Sequence, residues 1–294
     1  RRRHTRCSRD WSSDVCSSDL PLIDTGIDTG PQAAILVLVV VYAIAAWFNT
    51  RIPLTGVEML PMQVKPEHSL VRNLFDLLPD FWHCNVRLWQ DKLGQISLAT
   101  TTLFWGVSGN LRYIVLAWSA AALSYSTSQA SSLVGVVAIG TAVGAVVASM
   151  RMRLVQATRV IPMGIGMGLL VLTMNFIDNV WVAAPFLVLL GGLGGFLVVP
   201  MNALLQHRGH NLMGAGRSIA VQNFNEQACI LGLGGLYTFS TGVGLSSFGA
   251  ISLFGLLVAS MMWAILRWHQ YNRRVHHDEL HRLHEIARND NLHG

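Results

Sequence analysis

Charge is scarce in this sequence. Only 13% of its 294 residues are Asp, Glu, Lys or Arg, about half of the roughly 25% usual in a soluble globular chain. With 52% hydrophobic residues and a mean hydropathy of +0.43, that deficit excludes an ordinary soluble globule and points to an integral membrane protein. Polar interruptions are scarce too. Six apolar segments, 97–123, 131–150, 158–177, 180–206, 217–241 and 246–268, are each long enough to cross a hydrocarbon core, which takes about 20 helical residues. A shorter apolar stretch at 33–48 can also span with its flanks. Period-2 alternation is missing from all of them, which excludes a membrane β-barrel. The expected fold class is therefore all-α, a polytopic membrane protein with about seven transmembrane helices.

Motifs of catalysis are missing as well. There is no P-loop, no Walker lysine, no H-E-x-x-H and no G-x-S-x-G. Gly164, Gly166 and Gly168 fall inside an expected span with no strand before them, so they are not a dinucleotide fingerprint. Nothing asks for a cofactor, and an enzyme is not expected. Cysteine is sparse: Cys84 falls in an expected loop and Cys229 inside a helix, so no disulfide framework is implied. His277, His281 and His284 recur at i, i+4 and i+7, the spacing of one helix face. A solvated helical tail over 269–294 is expected there rather than a metal site, because no other ligand type accompanies them.

Basic residues are absent from every second loop. The connections 124–130, 175–179 and 240–247 contain no Lys or Arg, and one holds Asp178. The alternate connections carry Arg151, Arg153 and Arg159, then Arg208 and Arg217, then Arg267, Arg273 and Arg274. By the positive-inside rule the basic loops and the C-terminus are cytoplasmic. The sequence pI of about 9.3 thus needs no nucleic acid, since basic residues beside membrane ends meet anionic headgroups.

The first twenty residues stand apart. RRRHTRCSRDWSSDVCSSDL has no hydrophobic period and no signal-peptide core. Its last eleven residues match the translation of a short-read sequencing adapter. Residues 1–20 are therefore set aside as artefact, with the expectation that protein is missing upstream. Residues 21–49 read as an extracytoplasmic loop and the last helix of an N-terminal half, and 50–96 as a long cytoplasmic connection. Within that connection Leu70, Leu74, Leu77, Phe81, Val86 and Trp89 recur at helical spacing. They predict an amphipathic helix over 69–93, either in the interface plane or packed under the bundle. Residues 97–268 would form a six-helix half.

Between 98 and 266, outside the loops, two side chains carry charge: Arg112 and Glu226. Counted from their cytoplasmic ends they sit roughly 20 Å and roughly 14 Å deep, at 1.5 Å per residue. A charge there costs about 2.5–3.5 kcal/mol on insertion scales, so it faces a cavity or a partner. The two could pair with each other, or with a charge in a missing half, and lock helices. Alternatively Arg112 offers a guanidinium fork to a phosphate, with Glu226 attracting an ammonium or pairing with Arg112 in one state. Asn110, Gln222 and Asn223 fall within a turn of these charges, and Asn202 and Gln206 lie nearer the cytoplasmic mouth. So many amides favour a polar path, hence a transporter. The small-residue runs GVVAIGTAVGAVVAS (135–149) and GGLGGF (191–196) are packing faces.

Six helices after a long cytoplasmic loop resemble the C-terminal half of a major facilitator transporter. TTLFWGVSGNLRYIVLAW (101–118), GGFLVVPMNALLQHRG (194–209) and GAGRSIAVQNFNE (214–226) resemble, more closely, the bacterial lysophospholipid transporters. The resemblance implies a twelve-helix inner-membrane flippase for lysophosphatidylethanolamine-type lipids. It also implies a cytoplasmic acyltransferase/acyl-carrier-protein synthetase that re-acylates them, and an Arg112 that meets the headgroup phosphate. One departure is that SMRMRLVQATR (149–159) lacks the Asp of the facilitator loop motif, which leaves this half without its standard cytoplasmic latch. Two other readings are a facilitator exporting drugs or small amphiphiles, and the membrane module of a fused transporter–acyltransferase.

Overall fold

The computed structural model describes residues 30–51 and 70–290. The adapter-like residues 1–20, and most of the connection before the amphipathic helix, lie outside them. The chain divides into two units, 1–63 and 64–294. In the first, helix α1 (Gly30–Thr50) is apolar throughout. It ends where Thr50 Oγ1 donates to the Trp47 carbonyl at 2.7 Å and the Arg51 guanidinium lies 4.8 Å from the Trp47 ring centroid. An aromatic and an arginine together are the usual anchor at a membrane interface.

The second unit is a bundle of α2 (Leu70–Gln90), α3 (Gly94–Leu123), α4 (Thr127–Arg151), α5 (Ile161–Thr173), α6 (Val180–Met213), α7 (Ala215–Gly242), α8 (Ser247–Val275) and α9 (His277–Asp290). Among the described residues there is no strand. Short connections make consecutive spanning helices antiparallel, but the most extensive packing is between α4 and α6, α5 and α8, and α3 and α7. Three helices start on a side-chain cap: Ser126 accepts from the Gln129 N–H in a capping box, Asn179 from the Trp181 N–H, and Ser246 from the Gly249 N–H. Each satisfies a backbone donor that lipid could not.

Five helical segments are long and apolar enough to cross a membrane: Gln32–Thr50, Thr127–Arg151, Leu154–Phe176, Val180–Met213 and Ser247–Val275. The sequence led us to expect about seven. Helices α3 and α7 have the length, at 30 and 28 residues, but their hydropathy is diluted by Thr100, Thr101, Asn110 and Arg112 in one and Gln222, Asn223, Asn225 and Glu226 in the other. These two helices pack on each other.

The small-residue runs face one another. A Cβ at Gly140 or Gly144 would lie on the carbonyl oxygens of Val188 and Gly192, and one at Gly191 or Gly195 on those of Val137 and Thr141. Helices α4 and α6 are thus in backbone contact at four glycines, two on each helix about one turn apart. Gly168 and Gly255 do the same between α5 and α8.

Elsewhere the structure revises the sequence reading. The basic connection expected around Arg208 shrinks to Gly214, whose φ of +83° suits a residue without a Cβ. Arg208 itself is buried in α6. Helix α2, expected over 69–93, carries Cys84, which is buried. The face α2 applies to α3, α6 and α7 is built on Cys84, Asn85 and Leu88, with Phe81 and Trp89 at its edges. Leu77 and Val86, expected on that face, are exposed, as are Leu78 and Trp82. The apolar arc is wider than one packing surface, and Asn85 displaces it by turning inward to bond Asn225 at 2.8 Å. Finally, the tail is not simply solvated. Helix α8 runs on to Val275, and α9 folds back so that Leu280 and Leu283 join a core with Ala157, Val160 and Ile265.

Candidate functional site

Glu226, 8% exposed, lies on α7 one turn beyond Gln222. The Gln222 amide donates both its protons, to Glu226 Oε1 at 2.8 Å and to Asn202 Oδ1 of α6 at 2.7 Å. Asn202, Gln222 and Glu226 therefore form one hydrogen-bonded cluster across the α6–α7 contact. Asn110 is buried on α3 and spans the next contact: its amide donates to the Gly106 carbonyl at 2.8 Å and to the Ile230 carbonyl of α7 at 3.1 Å. A Cβ at Gly234 would sit 3.1 Å from its side-chain oxygen.

Arg112 lies apart from this cluster. Its guanidinium stacks 4.7 Å from the Tyr113 ring centroid and donates to the Tyr113 hydroxyl at 2.8 Å. Both side chains are exposed on the bundle surface. Among the described residues neither Arg112 nor Glu226 makes an ion pair. The alternative in which they pair and lock α3 to α7 is therefore not what the structure adopts. Asn223 and Gln206, the remaining amides, are exposed.

Arg112 also borders an apolar groove of about 220 Å³ between α3, α4 and α6. Phe104, Trp105 and Leu111 wall it on the α3 side, and Val134, Val137 and Val198 on the other. A smaller cavity of about 50 Å³ continues inward past Phe104, Ser108 and Leu111 to Met167 and Met262. A cation at the mouth of an apolar groove is a complement to an amphiphile with an anionic head.

The predicted cytoplasmic end holds two charge contacts that the sequence did not announce. Arg208 donates to Asp91 from Nε at 3.1 Å and from Nη2 at 2.6 Å, with side chains only 5% and 7% exposed. Asp91 Oδ1 also accepts from the Gly94 N–H at 2.7 Å, at the start of α3. Arg217 meets Asp80 of α2 at 3.1 Å on the surface. Asp91 lies at the α2–α3 corner, and Asp80 within α2. Neither aspartate lies near its arginine in sequence, so no local motif could have paired them.

The comparisons with known proteins bear on this arrangement. The chain is 36% identical over 197 residues to the lysophospholipid transporter LplT of Escherichia coli O9:H4 (strain HS). It is equally similar to the proteins of that name from Shigella boydii serotype 4 (strain Sb227) and Escherichia coli O1:K1. The chain is a relative of the lysophospholipid transporters. The matched residues are 67% of this chain and 50% of each relative, so the chain spans about half the length of the curated relatives it matches. No family profile matches it, and no solved structure does. This relative of the lysophospholipid transporters is an all-α polytopic membrane protein, with Arg112 on α3 and Glu226 on α7.

Proposed function

We propose that the protein containing this chain moves lysophospholipids of the lysophosphatidylethanolamine type across the bacterial inner membrane. The observation that carries the reading is Arg112, a guanidinium held at the mouth of an apolar groove. A lysolipid has one phosphate and one acyl chain. Its phosphate takes the bidentate fork of Arg112, with Tyr113 fixing the plane of the guanidinium by stacking. Its acyl chain lies against Phe104, Leu111 and the valines of α4. Glu226, held by Gln222 and Asn202, offers a carboxylate to a headgroup ammonium. Asn110, Asn223 and Gln206 complete the polar lining between the two charges and the cytoplasmic mouth.

The fold is read as the C-terminal half of a major-facilitator bundle, with α1 as the last helix of the other half. The two halves would rock about a midplane site. The C-terminus is cytoplasmic, since Arg151, Arg153, Arg159, Arg273 and Arg274 cluster at one end of the spans. Re-acylation of the product falls to an acyltransferase/acyl-carrier-protein synthetase on the cytoplasmic side, as a separate partner or fused downstream.

The test is uptake of labelled lysophosphatidylethanolamine by spheroplasts of a strain lacking its own transporter. Losing a charged phosphate contact costs about 10- to 100-fold in affinity. Arg112→Ala is therefore expected to abolish uptake at low lysolipid concentration while membrane insertion is unchanged. Wild-type uptake by Arg112→Ala removes the proposed role. Efflux of a cationic drug without lysolipid uptake favours the exporter reading instead.

A further inference from the structure

At the end of the bundle where α9 folds back there is a second cleft, separate from Arg112. It holds about 300 Å³ and is lined by Thr158 and Arg159 from the connection before α5, His269 and Arg273 from the end of α8, and His277 and His281 from α9. A broader cleft on the other side of Arg159 is bordered by Arg153, Gln156 and Arg288. Among the described residues no carboxylate lines either one. Two acids of α9 pair along that helix with histidines of the cleft, Asp278 with His277 at 3.4 Å and Glu285 with His281 at 3.5 Å. Arg159 and Arg273 have no ion pair or hydrogen bond among the described residues. Two arginines converging on a space without a counter-charge repel one another unless an anion enters.

We propose that this cleft binds the phosphate of an anionic phospholipid in the adjoining leaflet. Its position argues for a lipid. The cleft opens where α8 leaves the apolar span, one turn beyond Trp268 and beside Tyr271, both partly exposed, and Arg267 lies 5.7 Å from the Trp263 ring centroid. Aromatics and arginines at one depth mark the headgroup layer. The floor is apolar, from Val155 and Leu280, which suits the glycerol end of an acyl chain better than a small hydrated ion. Arg159 and Arg273 fork the phosphate, and Thr158 donates its hydroxyl. The bound lipid would bridge the connection before α5 to the end of α8 and pin α9 against both. The inference rests on the membrane placement of the bundle and not on the transport reading.

The experiment is native mass spectrometry of the full chain in detergent, titrated with phosphatidylglycerol or with phosphatidylethanolamine, and repeated for Arg159→Gln/Arg273→Gln. Each arginine near an anionic headgroup is worth about fivefold in binding, so the double variant is expected to hold phosphatidylglycerol roughly thirtyfold more weakly. Wild type is expected to prefer phosphatidylglycerol over phosphatidylethanolamine. Arg159→Lys/Arg273→Lys should recover part of the binding, and Arg282→Gln, an exposed arginine of α9 outside the cleft, should keep all of it. Unchanged binding by the double Gln variant overturns the site. So does equal loss in Arg282→Gln, which would mean diffuse surface charge. If millimolar inorganic phosphate displaces the lipid and binds in its place, the cleft is a free-phosphate site and the lipid assignment fails.

Discussion

The seam between α4 and α6 and the seam between α3 and α7 use opposite chemistry for the same task. At the first, Gly140, Gly144, Gly191 and Gly195 bring backbones into contact and leave nothing polar between them. At the second, Asn110 crosses from α3 to the Ile230 carbonyl of α7, and the α7 face beyond it carries Gln222 and Glu226. Close backbone packing gives a membrane helix pair its dispersion energy without side-chain entropy. A polar seam gives less packing, and it keeps groups that a substrate can engage. Stability and function are therefore separable between the two seams.

The largest expected effect lies at the α2–α3 corner, where α6 meets α3. Arg208 of α6 and Asp91 at the start of α3 form a buried bidentate pair. Removing one partner of such a pair strands the other and costs about 3–5 kcal/mol. Arg208→Met should lower the unfolding free energy in detergent by that amount, and Asp91→Asn/Arg208→Met together should cost less than Arg208→Met alone. If the double variant is worse than the single one, the pair is not what holds the corner.

The glycine seam comes next. Gly144→Leu sets a side chain on the Gly192 carbonyl, where only helix separation gives relief, and overpacking of this kind costs about 3 kcal/mol. Gly135 lies on the same helix with nothing within 4 Å of its added Cβ. Gly135→Ala should be neutral or stabilising by up to about 1 kcal/mol. A loss at Gly135 equal to that at Gly144 would show that the close contact at Gly144 is not what sets the cost, since helix propensity favours both substitutions.

At the polar seam, Asn110→Leu loses two hydrogen bonds to carbonyls that are already within helices. It should cost only about 1 kcal/mol, since no buried donor is left behind. Thermal melts of the two leucine variants, Asn110→Leu and Gly144→Leu, give the comparison directly. A cost at Asn110 as large as at Gly144 would mean that the amide, and not packing, joins α3 to α7.

The helices and the glycine faces were legible because length, apolarity and small-residue spacing are local properties. Arg112 and Glu226 stood out for the same reason, as charges in apolar runs. What sequence could not give was their relation. Residues 114 positions apart carry no mark of distance, and the structure keeps Glu226 with Gln222 and Asn202 while Arg112 stacks on its neighbour Tyr113. The inward face of α2 was misread because Asn85 is polar by type and buried by virtue of Asn225, a partner 140 residues away. Asp91 was missed for the same reason. Its arginine lies 117 residues off, and burial of both is a property of the corner they share.

The smallest stability effect belongs to the residue with the sharpest functional expectation. In Glu226→Gln the new amide oxygen can still accept from Gln222, so the cluster with Asn202 survives and the change in stability should stay within about 0.5 kcal/mol. The carboxylate charge is lost, and with it any attraction for a headgroup ammonium. Uptake of lysophosphatidylethanolamine should fall, whereas a lysolipid without an amine, such as lysophosphatidylglycerol, should be moved as by the wild type. Equal loss for both lipids would make Glu226 a member of the transport cycle and not a headgroup contact. A large drop in stability, with transport per folded molecule unchanged, would make the polar seam structural after all. It would also erase the distinction between the two seams.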